Sequence, residues 1–263
     1  MNWSSMCIAA ATFCAAMHPA SAQVGWGASG DANQLTINFS VSVPVSITQV
    51  NGAPYSGQES MQTVQTLSDG THLTQTGSKG PLTYRDSFGR VRTEQPMFPN
   101  QHGGLSFSMV QVADPVAGYL YVIDSLNQVV HRMAARASGP SKANSPNPTS
   151  KTLPDGTEIT AESLGTSTML GVSVIGTRIT TTYPAGSRLG NDRPVTATSE
   201  SWTSPQLGVL ISSANSQPGG NVTTVMMKDF SIAEPDSSLF TVPAGYKVVD
   251  ETGGFTVKIT KQN

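Results

Sequence analysis

From Leu35 the chain alternates apolar and polar residues, with Leu35, Ile37, Phe39, Val41 and Val43 on one side and Thr36, Asn38, Ser40 and Ser42 on the other. A period of two is the signature of a half-buried β-strand, and Pro44, which cannot donate to a ladder, ends it or places it at an edge. Short alternating runs separated by reversing turns follow. Thr63 to Leu67 and Thr71 to Thr76 flank Ser68-Asp69-Gly70, and Leu82 to Arg85 and Arg90 to Glu94 flank Asp86-Ser87-Phe88-Gly89. Glycine supplies positive φ in such turns and Asp bonds its own backbone. Leu105 to Ala113, Tyr119 to Ile123 and Gln128 to Met133 continue the rhythm around turns at 114–118 and 124–127. Evenly spaced strands of this kind predict a meander.

Residues 135–153 are rich in Ala, Ser, Gly, Pro and Asn and predict a mobile loop or linker between an N-terminal β half at 35–134 and a C-terminal β half at 154–250. The second half repeats the style. Thr157 to Thr168 and Val172 to Tyr183 meet at Leu170-Gly171, Val195 to Trp202 and Gly208 to Ala214 meet near Pro205, and a further strand runs from Val222 to Ile232. Pro235 to Phe240 suits one helical turn, because Pro is welcome at a first helical position and Asp favours the N-terminal end. Short strands are expected at Lys247 to Val249 and, within a C-terminal tail at 251–263, at Phe255 to Ile259. The expected fold is mainly β: a curved antiparallel meander sheet, half-barrel-like, or a sandwich, with little helix.

The start of the chain changes the picture. Cys7 to Met17 is one short apolar run, followed by Ala20-Ser21-Ala22, which presents small residues where a signal peptidase needs them. This predicts a signal peptide over 1–22, then a flexible lead-in over 23–34. The run is shorter than the ~20 residues of a membrane-spanning helix. Both cysteines, Cys7 and Cys14, lie inside it, so the exported chain is expected to be cysteine-free and to depend on a hydrophobic core rather than on disulfides. A periplasmic or secreted location follows, with no integral membrane span after cleavage.

Charged residues make up 12 % of the chain and the net charge is −2, against about 25 % charged in typical domains. Lacking a basic excess, the chain is not expected to bind nucleic acid. Aromatics at 6 % and a polar C-terminus weigh against an outer-membrane barrel, which needs aromatic girdles.

Three strings, Tyr84-Arg85-Asp86-Ser87-Phe88-Gly89-Arg90-Val91-Arg92-Thr93-Glu94, Asp114-Pro115-Val116-Ala117-Gly118-Tyr119-Leu120-Tyr121-Val122 and Gly190-Asn191-Asp192-Arg193-Pro194, resemble a group of uncharacterised exported bacterial β-rich proteins. So do Trp202 to Leu207 and Glu234 to Pro243, and the likeness spans roughly residues 50 to 250. It implies no known activity. More distantly, the strand rhythm, Trp202-x-Ser204-Pro205 and Phe240-x-Val242-Pro243-Ala244-Gly245-Tyr246 resemble the half-barrel of periplasmic lipoprotein carriers and their sigma-factor-regulating relatives. That resemblance implies a curved sheet whose concave face holds an acyl chain or a partner. Clear lid helices are lacking here.

No nucleophile elbow, zinc-protease helix, phosphate loop or calcium loop is present, and no cofactor or metal is expected. His72, His102 and His131 are far apart in sequence, and Asp69, Asp86, Asp114, Asp124 and Asp155 all fall in turns, where capping accounts for them. Arg85, Arg90 and Arg92 form the one local positive group, either a cross-strand ion-pair ladder with Glu94 or a site for an anionic headgroup. Tyr183, Trp202 and Phe230, with Phe240 and Tyr246, are core or rim aromatics, or line an apolar groove. The leading expectation is an exported non-enzymatic β protein that binds an apolar or amphipathic ligand, such as a lipid, or an envelope protein. The alternatives are a hydrolase or metal enzyme with a dispersed His/Asp site and a structural or adhesive envelope component.

Overall fold

The structure, a computed structural model, describes residues 25–30, 34–40, 42–97, 107–139 and 149–260. The predicted signal peptide, both cysteines, His102, residues 98–106 and residues 140–148 of the predicted 135–153 loop lie outside the described residues.

In chain order the strands are β1 (Gly25–Gly30), β2 (Gln34–Ser40), β3 (Val45–Thr48), β4 (Tyr55–Thr66), β5 (His72–Arg85) and β6 (Val91–Met97). They continue with β7 (Phe107–Asp114), β8 (Tyr119–Asp124), β9 (Val129–Ser138), β10 (Thr149–Thr152), β11 (Glu158–Met169) and β12 (Val172–Tyr183). The last are β13 (Val195–Ser204), β14 (Val209–Ser216), β15 (Asn221–Ser231), β16 (Lys247–Glu251) and β17 (Phe255–Thr260), with one 3-10 turn at Ser237–Phe240. The chain is mainly β, as its alternation predicts, and its sheets stay open. β9 runs on to Ser138 and β10 starts at Thr149, so both ends of the predicted loop are strand.

Two compact units divide the chain, and neither is a sequence half: one comprises residues 1–52, 84–139 and 234–263, the other 53–83 and 140–233. In the first unit β6, β7, β8 and β9 pair antiparallel in sequence order. β9 also pairs in parallel with β16 through residues 129–133 and with β3 through residues 135–138. These two parallel pairings depart from the antiparallel expectation. A separate three-stranded sheet has the order β1-β2-β17.

The central strands of this unit are apolar on both faces. Met109, Ala113, Leu120, Val122 and Met133 point one way and pack with Ile37 and Phe39 of β2 and Val257 of β17. Val110, Val112, Ile123 and Val130 point the other way and pack with Phe240 of the 3-10 turn, with Leu239 and Tyr246 against them. A sheet buried on both faces loses the clean alternation of a solvated one, which is why residues 119–123 read as an almost continuous apolar run. At the rim, the His131 ring stacks on Phe255 at 4.4 Å and Phe255 on Phe39 at 4.5 Å. His131 Nδ1 lies 2.8 Å from Glu251 Oε1.

In the second unit β10, β11, β12, β13, β14, β15 and β4 pair antiparallel in that order. Its buried side chains include Val172, Val174, Leu207, Val209, Ile211 and Met227. Three registers shift by one residue, at Ser163/Gly165, at Trp202/Thr203 and at Lys228/Ser231.

Leu120 is 1 % exposed and sits at the centre of the first unit's core. Leu120→Ala should cost about 2–5 kcal/mol through lost transfer energy and the cavity left behind, seen as a lower denaturant midpoint at unchanged slope.

Candidate functional site

The three arginines of the sequence analysis all lie in the first unit, and they act on its own packing. Arg85 is fully buried. Arg90 Nε donates to Asp86 Oδ2 at 2.6 Å, and its guanidinium lies 5.0 Å from the Phe240 ring and 5.8 Å from Phe88. Arg92 Nε donates to Glu94 Oε1 at 2.7 Å and its Nη1 to the Leu239 carbonyl at 3.1 Å. Glu94 therefore pairs with Arg92 two residues along the same strand, not across the hairpin. Together Arg90 and Arg92 fasten the 3-10 turn to the sheet.

The turn aspartates are caps. Asp69 accepts from the Thr71 N–H, Asp86 from Phe88 and Arg90, Asp114 from Val116 and Ala117, Asp124 from Leu126 and Asn127, and Asp155 from Thr157. Among the described residues no group of three His, Cys, Asp or Glu side chains could hold a metal ion. His72 Nδ1 lies 3.0 Å from Thr66 Oγ1 in the second unit, while His131 pairs with Glu251 in the first.

Tyr183, Trp202 and Phe230 belong to the second unit and do not converge. Phe230 stacks on Tyr55 at 6.1 Å. Trp202 pairs across the ladder with Gly176, and Tyr183 with Val195. Because 176 and 183 differ by an odd number on one strand, their partners face opposite sides of the sheet.

Those two sides differ sharply in chemistry. One carries Ile159 and Ala161 of β11, Ile179 and Tyr183 of β12, and Val195 and Ala197 of β13, in the paired rows Ile159–Thr181–Ala197, Ala161–Ile179–Ser199 and Tyr183–Val195. Ile179 is 42 % exposed on it. The other side carries the row Ser150–Thr160–Thr180–Thr198–Ser216 and, beside it, Glu162–Arg178–Glu200. Arg178 Nε and Nη2 reach Glu200 Oε1 at 2.7 Å, and Nη1 reaches Glu162 Oε1 at 2.9 Å. Its guanidinium is held charged more firmly than an ordinary arginine by the hydrogen bonds to Glu200 and then Glu162. An open depression of about 380 Å³ lies along β10 to β12, lined by Ser150, Thr160, Glu162 and Thr180 of this side and by Thr149 and Ala161 of the other. In the first unit, a cleft of about 20 Å³ lies among Ile37, Phe39, Met109, Val122 and Val257, room for about one water.

No protein-family model and no curated protein matches the chain. Among solved structures, it is similar to a LolA superfamily protein from Nitrosomonas europaea, at 9 % identity over 73 % of this chain and 92 % of the other, with a TM-score of 0.26. It is also similar to LprF from Mycobacterium bovis, at 8 % identity over 74 % of this chain and 90 % of the other, again at 0.26. The distant resemblance to lipoprotein-carrier-like proteins thus reappears among these neighbours. At such TM-scores it gives no residue correspondence and assigns no ligand.

Carboxylates at the turns give the protein a definite response to acid. Hydrogen bonds from Ser87 hold Glu234 below the usual carboxylate range, and those from Ser238 and Thr71 do the same for Asp236 and Asp69. A carboxylate with a depressed folded pKa stabilises the fold above its unfolded value, and this is lost as pH falls through the folded value. The thermal midpoint should hold from pH 7 to 5 and drop below about pH 4; Glu234→Gln with Asp236→Asn should flatten that drop.

Proposed function

We propose that this chain is an exported, non-enzymatic binding protein that takes an apolar or amphipathic ligand, or the apolar surface of an envelope partner, on the second unit's face formed by Ile159, Ala161, Ile179, Tyr183, Val195 and Ala197. One observation carries the reading. One side of β11 to β13 carries Ile159, Ala161, Ile179, Tyr183, Val195 and Ala197, and the branched aliphatic Ile179 at its middle stays 42 % exposed. Leaving aliphatic surface in water forgoes about 25 cal/mol per Å², and contiguous exposed apolar surface marks interaction sites. Support also comes from what the titratable groups are doing. The five turn aspartates are used as caps, and the two described histidines sit in different units, with His131 paired to Glu251. The apolar cleft of the first unit is far below the 300–1,000 Å³ of ordinary ligand sites, so the open face is the better candidate. Of the residues picked out in the sequence, Tyr183 belongs to it.

Native mass spectrometry of the gently purified protein, with thermal-shift titration by lauric acid, tests this. Bound lipid, or a rise in melting temperature that Ile179→Asp weakens by about tenfold in half-saturation, is the expected result. No co-purified lipid together with no lauric acid shift in the unmodified protein would sink the reading.

A further inference from the structure

The polar side of the same strands carries a second constellation. On that side β11 to β13 carry Glu158, Thr160, Glu162, Arg178, Thr180, Thr182, Thr196, Thr198, Glu200 and Trp202, with the buried Val172, Val174 and Ser204 beyond Trp202 at the strand ends. Trp202 lies against the backbone of its partner Gly176: a Cβ at 176 would stand 2.6 Å from the indole. Glycine is therefore what lets the ring lie on the sheet. Two residues along β13, about 7 Å away, Glu200 and Glu162 grip Arg178 from both neighbouring strands and fix its planar fork. Beyond them comes the hydroxyl row, and the open depression of about 380 Å³ is lined by its Ser150, Thr160 and Thr180 and by Glu162, together with Thr149 and Ala161.

We infer that this face binds a polyhydroxylated, uncharged glycan. Sugar hydroxyls both donate and accept, which suits a surface that mixes carboxylate acceptors, guanidinium donors and threonine hydroxyls able to do either. The apolar C–H face of a sugar ring matches a flat indole, and Gly176 lets the half-buried Trp202 ring lie along the sheet. An anionic ligand is disfavoured, because two carboxylates flank one guanidinium and leave the cluster net negative. A fatty acyl chain is disfavoured by the unbroken polarity of the row. From Trp202 to the Thr180 row the site extends four residues along the strands, about 13 Å, which fits an oligosaccharide better than a single ring. The inference goes beyond the apolar-face reading and does not depend on it, since the two sites occupy opposite sides of the strands.

Tryptophan emission reads the site directly in a Trp3→Phe, Trp26→Phe background, where Trp202 is the remaining indole. Titration with maltoheptaose, cellohexaose and chitohexaose should give, for at least one of them, a saturable shift of emission to shorter wavelength. Thr160→Val with Thr180→Val keeps strand propensity and removes two hydroxyls; it should weaken half-saturation about tenfold, as should Glu162→Ala. Ile179→Asp should leave the glycan response unchanged, and the threonine variant should leave any lauric acid response unchanged. If none of the three oligosaccharides moves the emission, or if the response survives both the threonine pair and Glu162→Ala, the face is a solvated surface only and the inference is overturned. A lauric acid response without a glycan response sinks this inference alone, and the reverse sinks only the apolar-face reading.

Discussion

The first unit depends on one constraint: β7, β8 and β9 carry aliphatic side chains on both faces, so the sheet they form has to be covered twice. Water on either side would leave Leu120, Val122 and Met133, or Val112, Ile123 and Val130, hydrated. The chain answers with a three-stranded sheet on one side and a 3-10 turn on the other. The arginines follow from that answer. Arg90 lies over Phe240 and Arg92 holds the Leu239 carbonyl, so the positive cluster that stands out in the sequence is the fastening of the second cover. The carboxylate of Glu234, which accepts from the Ser87 backbone, secures the same segment one turn earlier.

The second unit solves a different problem with the same alternation. Its strands β11 to β13 are long, twelve, twelve and ten residues, but only their ends near Val172, Val174 and Ser204 are buried. The remainder is a two-sided surface, aliphatic on one side and hydroxyl-bearing on the other. A sheet of this kind separates two chemistries by the thickness of a backbone, which a helix, whose faces grade into each other around a cylinder, does less cleanly.

Much of this is legible in the residues. Leu170-Gly171 marks the β11–β12 hairpin, and both residues adopt positive φ, 50° and 81°. Each Asp-led turn was readable from its own side-chain chemistry. What sequence cannot supply is pairing across distance. Counting back from the 169/172 pair would set Glu162 opposite Ile179; the shift at Ser163/Gly165 instead sets it opposite Arg178. One extra residue, Leu164, thus decides which chemistry shares a row, and a bulge of that kind has no signal beyond a glycine inside a strand. Parallel pairing of β16 and β3 with β9 is invisible for the same reason: alternation shows which side a residue takes and not which strand lies beside it. Tyr183 and Trp202 take opposite sides by parity, since an odd separation on β12 sends 176 and 183 to opposite sides, and sequence spacing alone does not bring that out.

The strands that finish the first unit come from far along the chain. β9 ends at Ser138, but β16, β17 and the 3-10 turn lie beyond residue 236, with residues 140–233 of the second unit between. A chain still being made therefore carries β6 to β9 with an incomplete ladder and one aliphatic face still wet. Such surfaces recruit any extended segment nearby, so the first unit is exposed to mispairing until the last thirty or so residues arrive.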